Sequence, residues 1–346
     1  MRARRSLAWG ILGTGKIANV LAEAIKHSSS GHLAAVGSRS LESARAFANT
    51  WGIPRAFGSY EEVLASKEVD VVYISLPNRL HAEWTMRCAE AGKHILCEKP
   101  FTVNRAEAER AIEVVRKARV FLMEAFMYRC HPQTARLVEI VRRGEIGEVR
   151  MIQASFCYNM GVDLQNIRLS NADAGGAIMD VGCYPLSIAR LIAGASKGNP
   201  FLNPSEIRGT AFIGEQSRVD QQATAALKFP GGCVADLTCA TQVATDSGVR
   251  IWGSEGHVLV PVPWKPADKH ARLVVQRRGE SSPTEELVDA PAPLYTVQVD
   301  AVAAAIRNHD VEVRTPGMTW ADTLGNMAGL DAWRAAVGLT FDCERR

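Results

Sequence analysis

Over the first 125 residues, short and nearly unbroken apolar runs alternate with stretches whose apolar residues recur every three or four positions. An unbroken apolar run suits a strand buried on both faces, and the longer spacing suits a helix covering one of them. The pattern predicts strands at LAWGIL, HLAAVGS, VDVVYISLP, KHILCEKP and VFLMEAF. Helices are expected through Ile17, Leu21 and Ile25, then at LESARAFANTW, HAEWTMRCAEAG and NRAEAERAIEVVRKA. Gly92 is placed to end the third helix, and Asn104 with Glu107 reads as a capping box. After Phe126 the texture changes. One helix, HPQTARLVEIVRRG, leads into alternating strands (EVRMIQASFCY, EIRGTAFIG, QQATAALKFPGGCVADLTCAT, GVRIWGSEGHVLVPV, ARLVVQRR), with a short helix from Gly176 and a hairpin turn at FPGG. Residues 196–205 and 279–293 read as surface loops, and two helices close the chain at 295–308 and 319–337. The expected fold class is α/β. Residues 1–125 form a doubly wound parallel sheet; residues 126–346 form an α+β domain with a large open, mainly antiparallel sheet, whose last helices can pack back on the first domain.

Composition changes this picture little. A length of 346 residues suits two domains of about 150 residues each. With 47% hydrophobic and 22% charged residues, the chain has the proportions of a globular protein with a sizeable core. A net charge of +3 argues against nucleic acid and anionic membranes, which call for a basic stripe. The eight cysteines are scattered, with no C-x-x-C and no zinc-finger spacing, so they read as buried small side chains in a reducing compartment, with no metal. The paired arginines of MRARRSLAWGIL raise a twin-arginine leader. The apolar run instead passes straight into a Gly-rich loop with no cleavage site, as a basic lead-in to a buried strand would. No run reaches the roughly 18 apolar residues of a membrane span. The expected location is the cytoplasm.

The stretch AWGILGTGKIA decides between two phosphate cradles. From Gly10 it is G-x-x-x-x-G-K, but Ile17 follows Lys16 where a nucleotide-triphosphate loop needs Ser or Thr for Mg²⁺. From Gly13 it is G-x-G-x-x-A. Gly13 permits the tight turn, Gly15 lets backbone approach a pyrophosphate, and Ala18 lets the helix pack on the strand. The helix starting there offers free N–H groups and a positive dipole end. The loop Gly13, Thr14, Gly15, Lys16 and Ile17 is therefore assigned to a dinucleotide. At the end of the second strand, where a carboxylate would bind a ribose 2′-hydroxyl, stand Ser38 and Arg39. A hydroxyl and a guanidinium suit a 2′-phosphate, so NADP is expected, with NAD the alternative.

Two segments carry candidate chemistry. CEKP ends a predicted strand, where ligands bind in open α/β sheets. Lys99 there can hydrogen-bond a substrate hydroxyl and the cofactor ribose, and its charge lowers the pKa of a nearby acid. AGGAIMDVGCYPL places Gly175 and Gly176 in a flexible loop, then Asp180 and Tyr184 four apart on one helix face. A phenol and a carboxylate facing a lysine form a proton-transfer set, or else an Asp near a helix start and a half-buried core Tyr.

The chain resembles the Gfo/Idh/MocA oxidoreductases. The resemblance rests on GILGTGKIA, SRSLESARAFA, DVVYISLPNRLHAEW, AGKHILCEKP, EAFMYRCHPQ, GEIGEVRMIQASF and GGAIMDVGCYPLSIAR, in order along nearly the whole chain. It implies a Rossmann domain followed by an open-sheet domain that pairs sheet to sheet, and hydride transfer between NAD(P) and a sugar or polyol carbon. By motif, Lys99 matches the family's E-K-P lysine, with Glu98 beside it on the cofactor side. Asp180 and Tyr184 match its D-x-x-x-H/Y pair. Tyr rather than His is similar to the branch of D-xylose dehydrogenases, dihydrodiol dehydrogenases and glucose–fructose oxidoreductase. Leu76, Pro77, Asn78 and His81 match the cofactor-side loop, and Arg168 stands where a substrate-pocket residue is expected. His81 also reads as a helix-start side chain bonded to backbone; Arg129 and His131 read as pocket residues or as a helix entry. AGGA departs slightly from the commoner GGGA.

The expected function is NADP-dependent hydride transfer to or from a sugar, an aldose such as D-xylose or D-glucose first. Lys99 and Tyr184 would move the proton, and Lys99, Arg168, Asp180 and Tyr184 would hold the substrate. The alternatives are a keto-sugar reductase, an aldose–ketose oxidoreductase with tightly held NADP, glycoside cleavage through transient oxidation, and a non-catalytic NADP-binding regulator. A homodimer or homotetramer through the C-terminal sheet is expected.

Overall fold

The computed structural model describes residues 6–345; the basic lead-in at 1–5 lies outside them. The chain runs β1 (Leu7–Leu12), α1 (Lys16–His27), β2 (Gly31–Gly37), α2 (Leu41–Trp51), β3 (Arg55–Phe57), α3 (Tyr60–Ala65), β4 (Val71–Ile74), α4 (His81–Glu90), β5 (His94–Cys97), α5 (Arg105–Ala118) and β6 (Leu122–Glu124). It continues with α6 (Pro132–Arg142), β7 (Val149–Cys157), α7 (Cys183–Ala195), β8 (Glu206–Ile213), β9 (Asp220–Lys228), β10 (Val234–Ala240), β11 (Val249–Gly253), β12 (Gly256–Val260), β13 (Ala271–Arg277), β14 (Thr284–Val288), α8 (Leu294–Arg307) and α9 (Trp320–Ala336).

The chain divides into two units. Among the described residues the first holds 6–102, 106–127 and 292–320, and the second holds 103–105, 128–291 and 321–345. The segment with α8 thus belongs to the first unit, although it lies far beyond residue 125. Asp300 of α8 accepts hydrogen bonds from Ser28 and Ser30, each at 2.6 Å, and Thr296 donates to the Ala24 carbonyl at 3.3 Å.

In the first unit six parallel strands run in the order β3-β2-β1-β4-β5-β6. All six residues of β1 and all four of β4 are buried, as expected of central strands covered on both faces. Strand order reverses between β1 and β4, which opens a crevice at their carboxyl ends. The apolar pattern missed β3 and α3, which are three and six residues long. Ser59 accepts from the Glu62 N–H at 3.3 Å, so S-x-x-E at 59–62 was a capping signal available in the sequence.

The second unit holds eight strands in the order β14-β13-β12-β11-β7-β10-β9-β8. Every pairing is antiparallel except β7 with β10. Strand β14 falls within the stretch expected to be a loop. It is an edge strand, and its Glu286 pairs with Arg136 at 2.7 Å and with Arg277 at 3.2 Å. Charge on an edge strand hides the alternation that marks a half-buried one. All thirteen residues of α7 are buried. The stretch 171–195 has the length and hydropathy, 1.3, of a membrane span, but 94% of that window is buried inside the protein, as in the core of a folded domain.

Candidate active site

In the first unit the sequence-predicted cofactor residues gather on loops at the carboxyl edge of the parallel sheet. Gly13 adopts φ +97°, and a Cβ there would lie 3.0 Å from the Ser75 hydroxyl. Its N–H donates to the Gly37 carbonyl at 2.9 Å, which ties the ends of β1 and β2. Gly15 caps α1 with no side-chain hydrogen bond, no acidic residue sits in the first turn, and nothing lies within 4 Å of where its Cβ would stand. Thr14, Lys16 and Ile17 are half-buried or exposed around it. An uncapped helix start with open ground before it fits a pyrophosphate.

Ser38 is buried, with its hydroxyl accepting from the Ser40 N–H at 3.4 Å. Arg39 is exposed and reaches the Tyr60 phenol, whose pKa burial raises and Arg39 partly lowers. Leu76 is buried, and Pro77 precedes a single tight turn from Asn78 to Leu80. His81 turns inward. It is 1% exposed, with Nδ1 2.9 Å from the Pro100 carbonyl and Nε2 2.8 Å from the Leu76 carbonyl. Each ring nitrogen faces a main-chain carbonyl, so His81 bridges the loops after β4 and β5, donating to one of the two carbonyls when neutral. Burial depresses its pKa, the two carbonyls oppose this, and the charge of Lys99 adds to it.

Lys99 is half-buried just past β5, before a cis peptide to Pro100. Its main-chain N–H donates to Glu98 Oε2 at 3.3 Å, and the buried Tyr73 phenol donates to Glu98 Oε1 at 2.5 Å. Glu98 is thereby held by the Tyr73 phenol and the Lys99 main chain.

In the second unit Asp180 and Tyr184 straddle a change of helix type. Ile178–Gly182 is a π turn, and the α-helix begins at Cys183. Such wide turns recur at functional sites. The Asp180 carboxylate accepts from the Tyr158 phenol at 2.5 Å and from Arg168 Nε at 3.0 Å, both at Oδ2. Tyr184 is 4% exposed, and its ring packs against Phe156 at 5.2 Å, Trp264 at 5.7 Å and Tyr128 at 5.8 Å. Phe156 and Tyr158 stand two apart at the end of β7, so one strand face receives both members of the pair. Tyr158 was not singled out in the sequence; its only signal is alternation at the strand's end. Its pKa is pushed up by burial and by the Asp180 charge, with Arg168 opposing.

One sequence expectation changes, and one open choice narrows to its second reading. Gly175 and Gly176 form a tight joint rather than a flexible loop. A Cβ on Gly175 would lie 2.5 Å from the Ile167 carbonyl oxygen, and Gly176 sits at φ +104°. Arg129 and His131 are buried structural groups. Arg129 pairs with Asp322 at 2.6 Å, and His131 caps α6 by accepting from the Gln133 N–H at 3.1 Å.

Asp220, fully buried at the start of β9, bonds the Ile178 N–H, and burial pushes its pKa up to about 7. The Ile178 and Ala177 N–H groups and the charge of Arg334 pull it back, while Cys239 is the neighbouring thiol. The native protein holds a proton there that the unfolded chain releases above about pH 4. Stability from this group is therefore present at low pH and is lost as pH rises from about 4 to 7. Asp220→Asn is expected to melt above the wild type at pH 8, with the gap closing as pH falls, as read by thermal denaturation across pH.

The open cradle at the end of β1 and the six-stranded parallel sheet are those of a dinucleotide-binding domain. The family model described as an oxidoreductase family with an NAD-binding Rossmann fold matches residues 7–126, and that family's C-terminal domain matches residues 134–259. The chain is 33% identical to D-xylose 1-dehydrogenase (NADP(+)) 2 of Haloferax volcanii, over 94% of this chain and 96% of that one. It is 34% identical to dTDP-3,4-didehydro-2,6-dideoxy-alpha-D-glucose 3-reductase of Streptomyces violaceoruber, over 88% and 86%. The structure of a 3-ketoreductase from Actinomadura kijaniata, in complex with NADP and TDP-benzene, superposes with a TM-score of 0.84 at 28% identity, over 96% and 98% of the two chains. The protein belongs to the Gfo/Idh/MocA family and is an NAD(P)-dependent oxidoreductase.

Proposed function

We propose that the protein transfers hydride between NADP and a carbon of a sugar, oxidising an aldose such as D-xylose or D-glucose. The observation that carries this is Asp180, fixed by Tyr158 and Arg168, one helical turn from Tyr184 in a wall of aromatic rings. Bound NADP supplies the hydride acceptor in oxidation and the donor in reduction. Gly13, Thr14, Gly15, Lys16 and Ile17 hold its pyrophosphate, Ser38 and Arg39 its 2′-phosphate, and Leu76, Pro77, Asn78, Glu98 and Lys99 line its nicotinamide end. Tyr184 takes the proton of the sugar hydroxyl as the C–H bond gives up its hydride. Lys99 stabilises the developing oxyanion and favours the Tyr184 phenolate. Asp180 accepts from a sugar hydroxyl and Arg168 donates to another, so the reacting carbon is oriented. Keto-sugar reduction, with Tyr184 as the acid, is the second reading, favoured by the two relatives named for 3-keto reduction.

The test is NADPH absorbance with NADP⁺ or NAD⁺ and a panel of aldoses, polyols and glycosides. Formation of NADPH with an aldose supports the first reading. NADPH consumption with a keto-sugar alone supports the second. Glycoside cleavage without net redox change overturns both. Arg39→Ala is expected to lower kcat/KM for NADP on the order of 10- to 100-fold, the worth of one charged hydrogen bond, and to leave NAD nearly unchanged. An equal effect on both cofactors removes Arg39 from 2′-phosphate recognition.

Pairing of copies through the second sheet is supported by Met151, Phe212, Val234 and Leu287, all exposed and on one face by register. Light scattering tests it, with dimer or tetramer expected.

A further inference from the structure

The turn that carries Asp180 has no capping side chain of its own. Its cap comes from β9. Asp220, fully buried, accepts from the Ile178 N–H at 2.6 Å through Oδ2. Its Oδ1 faces Gly176 without a hydrogen bond of normal geometry, and a Cβ on Gly176 would lie 2.1 Å from it. The joint it touches is stitched to the Arg168 loop: Gly175 N–H donates to the Ser170 carbonyl at 3.0 Å, and Gly176 N–H to the Arg168 carbonyl at 2.8 Å. The same joint leads into the helix, because Asp180 N–H donates to the Gly176 carbonyl at 2.9 Å. One carboxylate thus sits where the loop bearing Arg168 becomes the helix bearing Asp180 and Tyr184. A hydroxyl or an amide would cap a helix start adequately, and a buried carboxylate burdens the fold. What the position needs is an acceptor for the Ile178 N–H, which Oδ2 supplies whether or not the carboxyl holds its proton.

We propose that Asp220 is a positioning residue for hydride transfer: its hydrogen bond to Ile178 sets the rotation and depth of the first turn, and so the placement of Asp180 and Tyr184 relative to Arg168. It touches no substrate and acts through the Ile178 main chain. The proposal rests on reading Asp180 and Tyr184 as the substrate-side groups.

Three variants test it in the full chain. Asp220→Leu removes the acceptor, Asp220→Asn keeps one, and Gly176→Ala displaces the joint from the opposite side. In Asp220→Leu and Gly176→Ala, amide hydrogen exchange over 174–186 is expected to rise several-fold while the rest of the chain keeps its rates; Asp220→Asn stays near wild type. With a sugar that the wild type turns over, both disruptive variants lose on the order of 100-fold in kcat, the cost of about 1 Å of misplacement. Their KM for NADP is unchanged, and Asp220→Asn recovers most of the activity. If Asp220→Leu does not fold, Gly176→Ala and Asp220→Asn carry the same comparison. Exchange that is unchanged over 174–186, or that rises uniformly through the second unit, overturns the proposal. If the wild type turns over no sugar, the functional reading fails by itself, and the exchange experiment still decides the role of Asp220.

Discussion

Tyr184→Phe is expected to lower kcat on the order of 1,000-fold, within the 10²–10⁴ range of a lost general acid or base, while NADP binding stays as in the wild type. The substitution isolates the hydroxyl. The ring is buried, and the Phe156, Trp264 and Tyr128 rings that surround it contact carbon edges that Phe retains. The folded structure should therefore be unchanged by circular dichroism, and the loss should appear in the chemical step, read by single-turnover NADPH formation. Lys99→Met is expected to fall by a similar factor for a different reason. On the proposed reading it removes the cation that steadies the substrate oxyanion and favours the phenolate. Because the two groups serve one proton transfer, the double variant should lose little more than either single one. Full turnover by a folded, NADP-bound Tyr184→Phe protein would remove Tyr184 from the chemistry.

Asp322→Ala is expected to destabilise the protein by about 3–5 kcal/mol, the usual consequence of stripping one partner from a buried ion pair. Its carboxylate accepts from Arg129 Nη2 and Arg190 Nη1, each at 2.6 Å, and none of the three side chains is exposed. Two guanidiniums share one carboxylate. Ser187 takes a further Arg129 donor at 2.7 Å, and Asn203 takes Arg190 Nε at 3.1 Å. Removing Asp322 leaves two buried cations facing each other. Total stability for a domain is about 5–15 kcal/mol, so the loss is a large fraction of it. The urea midpoint should fall steeply with the slope unchanged. Replacing Asp322 together with both arginines by apolar side chains should recover much of the loss, because the penalty belongs to the unpaired charges rather than to the site. Activity should suffer as well. Tyr184, Ser187 and Arg190 follow one another at three-residue steps on α7, and the Tyr128 phenol, whose ring packs on Tyr184, donates to Ser187 at 3.0 Å. A midpoint within error of the wild type would mean that the arginines find other partners.

The sequence by itself determined what depends on neighbours along the chain. Unbroken apolar runs marked β1 and β4 as strands covered on both faces, since such burial leaves no polar position. G-x-G-x-x-A marked the loop of Gly13 and Gly15, since a positive φ and an uncovered helix start each demand a particular residue at a particular place. Lys99, Asp180 and Tyr184 stand out as candidates because the motifs around them are contiguous. The tertiary structure decided everything whose cause lies far away in sequence. Strand β14 exists because β13 and Arg136 accept its charges, and α8 returns to the first unit because Ser28 and Ser30 meet Asp300. Asp180 is held by Tyr158, 22 residues before it, and its helix start by Asp220, 42 residues beyond Ile178. His81 stood open between a ligand and the backbone until its two carbonyl partners were seen. Periodicity and turn chemistry report the energetics of adjacent residues. A buried polar group is defined by the partner that satisfies it, and only the folded chain brings that partner within hydrogen-bonding distance.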